Sequence, residues 1–352
     1  MSTLPHPNHA PHAHSGVKVS RIMATVMLAL TPATLFGFTL FGWPSILLWL
    51  VTVGACLVLE VACLRLAGRG GPKTLWDGSA LLAGWLLAMT LPPFAPWWIG
   101  VLGAVATIVV AKHAYGGLGQ NPFNPAMVGR VALLISFPLP MTTWVQPAPL
   151  FAAGSPSLID SLHIIFSGTA VPDALTSATL LGHVKTEATR GVDALHAVMS
   201  LGADGSGLGW HAGSLGETGS LLVLAGGLFL LARRIITWHI PTSLLAGLAL
   251  PAAIGHAVAP ELYLSAGAHL TAGAAMLGAF FIATDLVTSP ATSAGRLIFG
   301  FGCGLLTWVI RTFAGFPEGL AFAVLLMNAG VPLIDRYTRP RIYGHGQPAK
   351  AG

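Results

Sequence analysis

Apolar residues run through this chain in long blocks, and polar residues collect in short islands between them. The blocks cover about 22–42, 44–63, 77–93, 96–112, 124–139, 218–233, 235–257, 262–284, 296–312 and 318–335. A helix needs roughly 20 apolar residues to cross a hydrocarbon layer about 30 Å thick, so the pattern predicts an all-α, polytopic integral membrane protein with ten spans. Several blocks are short or cut by Pro and Gly, and such spans need neighbouring protein to cover their broken backbone. The predicted organisation is a polar tail over 1–21, a first membrane half over 22–139, a long loop over 140–217, a second half over 218–335 and a tail over 336–352.

Composition supports this class. The chain is 54% apolar and 8% charged, with a mean hydropathy of +0.75, whereas an average soluble domain is about 25% charged. Its 43 glycines suit helices that approach closely in lipid. The net charge of +5 reads as topology rather than as a nucleic-acid surface. With the N-terminus inside, fourteen Lys and Arg fall at inner ends and three (Lys185, Arg190, Arg311) at outer ends. By the positive-inside rule both termini are then cytoplasmic and the 140–217 loop faces outward. A loop of that length is expected to be either a functional segment or a tether.

Ionisable groups near spans are functional candidates. Glu60 and Asp285 are candidates for coupling-ion sites, and Asp77 and Arg130 complete the set. All four are expected within about a turn of the inner end, where side chains can reach water. Cys56, Cys63 and Cys303 lie in apolar blocks and form no ligand set; no metal site is expected. His6, His9, His12 and His14 lie in the tail with no spacing that fixes a geometry. An internal repeat is suggested by Leu81–Gly84 against Leu244–Gly247 and by Pro125–Arg130 against Pro290–Arg296, offset by 163 and by 165 to 166 residues. Spans 2–5 and 6–9 would then be related, with a binding site where the halves meet.

The loop carries Asp173-Ala-Leu-Thr176-Ser177-Ala178-Thr179. A threonine hydroxyl can form a phosphodiester that tethers a nucleotide permanently, and the small neighbours Ser177 and Ala178 leave it accessible. Asp173 could orient the hydroxyl or hold a metal during transfer. An ordinary Ser/Thr-rich turn has the same composition.

The segment resembles the flavinylation motif in the membrane subunits of Rnf-type ferredoxin:NAD oxidoreductases and of sodium-pumping NADH:quinone oxidoreductases. Other segments resemble the same family in the same order: Asp77–Ala80 with Leu91-Pro92-Pro93, Tyr115–Gly129 with its Gly-Gln-Asn-Pro-Phe-Asn-Pro core, Gly213–Thr218, and Ala283–Pro290. The length and the Gly-Glu-Thr element look more like the Rnf side. One departure is Leu180-Leu181 where relatives often have Pro, which alters the turn and not the acceptor.

The resemblance implies FMN joined through its phosphate to Thr179 by an FAD-dependent FMN transferase. It implies assembly with other membrane, iron–sulfur and flavin subunits in a bacterial inner membrane. Electron flow between ferredoxin and NAD would be coupled to Na⁺ or H⁺ movement. No Gly-x-Gly-x-x-Gly follows a strand, so NAD would bind another subunit. A second, noncovalent flavin such as riboflavin is expected near Asn121 and Asn124; a purely structural broken-helix turn is the competing reading. Lys185 and Arg190 are the bases nearest the attachment motif. The alternatives are a B-like subunit of a quinone reductase and, from another class, a transporter with no redox role.

Overall fold

The protein is described by a computed structural model over residues 18–68, 77–152, 154–168, 176–190, 192–200, 211–316 and 318–339. It is an all-α polytopic bundle whose apolar helices include five long enough to cross a membrane. Its single pair of strands among the described residues is only two residues long on each side.

The first two apolar blocks form one 48-residue helix, α1 (Val19–Leu66), folded back on itself at Gly42. In a straight helix Phe38 and Trp49 would be about 16 Å apart along the axis, yet their rings pack edge to face at 5.8 Å. Gly42 has φ 68° and ψ −155°, a region essentially reserved for glycine, and Ser45 Oγ donates to its carbonyl. The two arms of α1 return to one end of the bundle. There Met23 touches Gly78, and Lys112 joins Glu60 to Ser79.

The helices that follow vary in length because several do not span alone. Helix α2 (Ser79–Ala88) has ten residues and rises about 15 Å, half of the hydrocarbon thickness. Buried nonhelical backbone over 89–96 extends it before α3 (Trp97–Tyr115) returns. Helix α4 (Pro125–Ser136) is capped by the Asn124 side chain, which accepts from the Met127 N–H.

In the second half, α10 (Ser220–Ala232) and α11 (His239–Val258) precede a broken segment. That segment is α12 (Ala266–Thr271), a turn at Gly273 with φ 66°, and α13 (275–282). Two continuous helices close the bundle, α14 (Ser293–Phe313) and α15 (Leu320–Tyr337). The crossing of α11 and α14 is dense because Gly247 faces the Phe301 carbonyl and Gly304 faces the Leu244 carbonyl.

The long loop is structured wherever it is described. It contains α5 (Pro138–Thr142), β1 (Trp144–Val145), α6 (Leu158–Ser167), β2 (Thr176–Ser177), α7 (Leu180–Thr189) and α8 (Ala194–Ser200). Backbone bonds fasten it to the bundle: Leu150 N–H donates to Thr39 O at 2.8 Å, and Ala194 N–H to Glu261 O at 2.8 Å. It therefore covers the end of the bundle where α1 bends. The tail 1–17, the segment 69–76 and the stretch from 340 onward lie outside the described residues.

The bend at Gly42 generates a prediction. Gly42→Ala forces an L side chain into a strained conformation at a cost of about 1–3 kcal/mol. It should lower the melting temperature of the purified protein in detergent, whereas Gly54→Ala, where an added Cβ meets open space, should not.

Candidate functional site

A helix broken inside a membrane frees carbonyl and N–H groups that no lipid can satisfy. In this chain both breaks are met by charged or backbone groups from neighbouring elements. At the first, Met89 O accepts from Gly216 N–H at 2.9 Å, and Thr90 O accepts from the Arg130 guanidinium. At the second, Arg311 donates to His269 O at 2.6 Å and to Ala272 O at 3.1 Å, while Ala274 N–H donates to Glu318 at 3.1 Å.

Between the breaks lies the short helix α9 (Leu215–Thr218). Glycine is required at 216, since a Cβ there would lie 3.0 Å from Met89 O and 2.7 Å from Leu277 Cδ2.

The result is a buried cluster of four charges. Arg311 Nη2 lies 3.0 and 3.2 Å from the two Glu318 oxygens, and Leu320 N–H donates to the same carboxylate at 3.1 Å. Glu217, 4% exposed, lies within electrostatic range of Glu318, Arg130 and Arg311. His269 Nδ1 and Arg311 Nε are buried with no hydrogen-bond partner among the described residues. Orphaned polar atoms of this kind are uncommon in native proteins.

Thr179 opens onto this cluster. One narrow cavity is lined by Thr179, Leu180, Leu181, Trp144, His211, Glu217, Gly273 and Glu318 among others. The motif is held in place from both sides. Thr176-Ser177 pairs antiparallel with Trp144-Val145, and Thr179 is the N-cap of α7, its Oγ accepting from Gly182 N–H at 3.1 Å. Ser177 and Ala178 are half-buried; Asp173 lies outside the described residues. A phosphate on Thr179 Oγ would sit at the N-terminus of a ten-residue helix, where backbone N–H groups and the helix dipole favour anions. The residues present thus fit a phosphate-linked group at this atom.

The two bases nearest the motif have other partners. Lys185 donates to Ile310 O at 3.4 Å, to Phe316 O at 2.6 Å and to Ala314 O, closing the C-terminus of α14. Partial burial lowers its pKa below the ordinary lysine value. Arg190 pairs with Glu187 at the surface.

The opposite end of the bundle carries the other predicted residues. Asn121, Asn124, Ser79, Lys112, Thr284 and Asp285 supply the polar edge of a cleft. Its walls are apolar, including Met23, Leu82, Ala83, Phe280 and Phe281. Asn124 also serves the structure itself, because it caps α4, its Nδ2 donates to Ile282 O, and its N–H donates to Asn328 Oδ1. Asp285 is half-buried and accepts from Val287 N–H and Thr288 Oγ1.

Two expectations are corrected. Glu60 does not reach water: it is buried and paired with Lys112 at 2.7 Å and His113 at 2.9 Å. Arg130 does not lie at the inner end. It is the sixth residue of α4, about 7.5 Å from the start of the helix, bound to Thr90 O and only 5% exposed. Glu318, Asn328 and Arg311 were missed as site residues, although Arg311 and Glu318 are ionisable groups flanking apolar blocks and could have been found on that ground.

Residues 7–344 match the NQR2, RnfD, RnfE family. The chain belongs to that family. It is 51% identical over 341 residues to the D subunit of an ion-translocating oxidoreductase complex from Halorhodospira halophila, covering 95% of this chain and 94% of that protein. It is 53% identical to the protein of the same name from Stutzerimonas stutzeri, covering 94% of each. With the Escherichia coli strain SE11 protein of that name it shares 46% identity, over 96% of this chain and 97% of the relative.

Family membership leaves the energetic role of the charge cluster to experiment. Removing one partner of a buried ion pair costs about 3–5 kcal/mol. Arg311→Met should therefore lower the melting temperature in detergent sharply. Arg311→Met combined with Glu318→Met should recover part of the loss, since no charge is then left unpaired.

Proposed function

We propose that this chain is the membrane electron-transfer subunit of an Rnf-type ion-translocating oxidoreductase complex, with FMN joined through its phosphate to Thr179 Oγ. The observation that carries the reading is the placement of Thr179. Its hydroxyl caps a helix N-terminus and opens into the cavity that holds Glu217 and Glu318. FMN, when bound, supplies reversible electron uptake at that position.

The chain's own residues do the rest. Backbone N–H groups at the start of α7 hold the phosphate, the β1–β2 pair fixes the height of the attachment point, and Lys185 locks α7 onto α14. Thr179 is only 8% exposed, so an FAD-dependent transferase reaches it before α7 packs down. The ferredoxin and NAD sites lie on other subunits, and electron flow is coupled to Na⁺ or H⁺ movement. The charge asymmetry supports both termini in the cytoplasm and the Thr179 end at the outer face of a bacterial inner membrane.

The cleft at the Asn121 end fits a second, noncovalent flavin. Its apolar walls can sandwich a flat ring, while Asn121 offers amide donors and acceptors at the edge. Lys112 lines the same cleft and is held by Glu60 and Ser79, so a fixed cation faces the occupant.

Both sites are testable on one gel and one extract. Co-expressed with its transferase, the protein should give a flavin-fluorescent band under denaturing conditions. Thr179→Ser should keep the fluorescence and Thr179→Val should abolish it; a fluorescent Thr179→Val band refutes the attachment. Ala83→Trp, which fills the cleft, should reduce the flavin released on denaturation by about tenfold while leaving the fluorescent band intact, a loss equivalent to about 1.4 kcal/mol of binding.

A further inference from the structure

Around the Thr179 cavity stand two guanidinium groups, Arg130 and Arg311, and two carboxyl groups, Glu217 and Glu318. An electron arriving there adds a negative charge to a poorly solvated site, where uncompensated charge is costly. The compensating proton needs an acceptor, and the geometry narrows the choice.

Glu318 is fully engaged: Oε1 accepts from Leu320 N–H and Arg311, and Oε2 from Ala274 N–H and Arg311. The arginines do not release protons in proteins. His269 is buried with the Arg311 guanidinium on its own carbonyl, so a second positive charge there is opposed. His211 is half-buried on the cavity wall, its Nδ1 facing Ala212 O at 3.2 Å. Glu217 is buried, lines the cavity with Thr179, and is in none of the ion pairs among the described residues. The Ser214 hydroxyl lies one turn before it, against the Glu217 carboxyl.

We propose that Glu217 takes up the proton that balances the charge brought to the flavin tethered at Thr179. The inference rests on Thr179 carrying that flavin. The electron comes from a neighbouring one-electron carrier of the complex, and the proton from water at the Thr179 end of the bundle. One O–H bond forms on the Glu217 carboxylate. When the electron moves on, that bond breaks and the proton returns to water.

The test uses the full chain, co-expressed with the transferase and purified, with Thr179→Val as the spectral blank. Spectroelectrochemical titration of the covalent flavin should show its one-electron potential falling by about 59 mV per pH unit near neutrality, the value for one proton per electron. Glu217→Gln should flatten this slope and Glu217→Asp should retain much of it.

The reduced-minus-oxidised infrared spectrum of the unmutated protein should contain a new carboxylic-acid C=O band, absent in Glu217→Gln. An unchanged slope in Glu217→Gln, or an imidazolium signature in place of the acid band, overturns the proposal. If Glu217→Gln does not accumulate, the infrared spectrum of the unmutated protein decides alone. A band without flavin fluorescence would refute the Thr179 attachment itself, a result distinct from a fluorescent protein with a flat slope.

Discussion

The constraint on which this fold depends is the satisfaction of backbone freed by two broken helices. Polar backbone inside a membrane cannot be left to lipid, and helices that stop after ten or six residues leave several carbonyls open. Arg130 serves one break and Arg311 the other. A guanidinium suits this role because its fork of donors can serve two carbonyls and a carboxylate at once, as Arg311 does. The buried charges then demand counter-charges, which Glu318 and Glu217 provide. The cluster beside Thr179 thus begins as a structural necessity and is available for chemistry.

Close packing follows from the same constraint. For α9 to donate Gly216 N–H to Met89 O it must fit between the two breaks, which excludes a side chain at 216. The long loop is held to the frame by Lys185 on the α14 C-terminus, by Leu150 on α1 and by Ala194 on Glu261. The fold therefore presents Thr179 on a fixed helix N-terminus, and a helix start positions an attached anion better than a mobile loop could.

What could be read from sequence divides along physical lines. The apolar blocks carried the all-α membrane class, because hydropathy reports directly on transfer into lipid. The Gly-Gln-Asn-Pro-Phe-Asn-Pro segment stood out only through the family resemblance, although Asn124 before Pro125 is a local capping signal that could have been read as the start of α4. Arg130 and Glu60 were misplaced for one reason. Position along a block was taken as depth, and each was assumed to reach water. Yet α4 is too short to span alone, and Glu60 finds Lys112, 52 residues away. Pairings at such separation leave no periodic trace. The Arg311–Glu318 pair has another cause: Arg311 was counted as a topology charge, and only the break at Gly273 gives it carbonyls to bind.

The same elements connect the two ends of the molecule. Helix α4 starts at Asn124, on the rim of the cleft, and carries Arg130 to the first break. Helix α13 starts beside Ala274, held by Glu318, and ends with Phe280 and Phe281 on the cleft wall. Two short segments thus run from the charge cluster to the wall of the cleft. Asn328 ties those ends to each other, accepting from Asn124 N–H and donating to Thr288 O. Each end of the molecule is therefore built partly from the two segments that build the other.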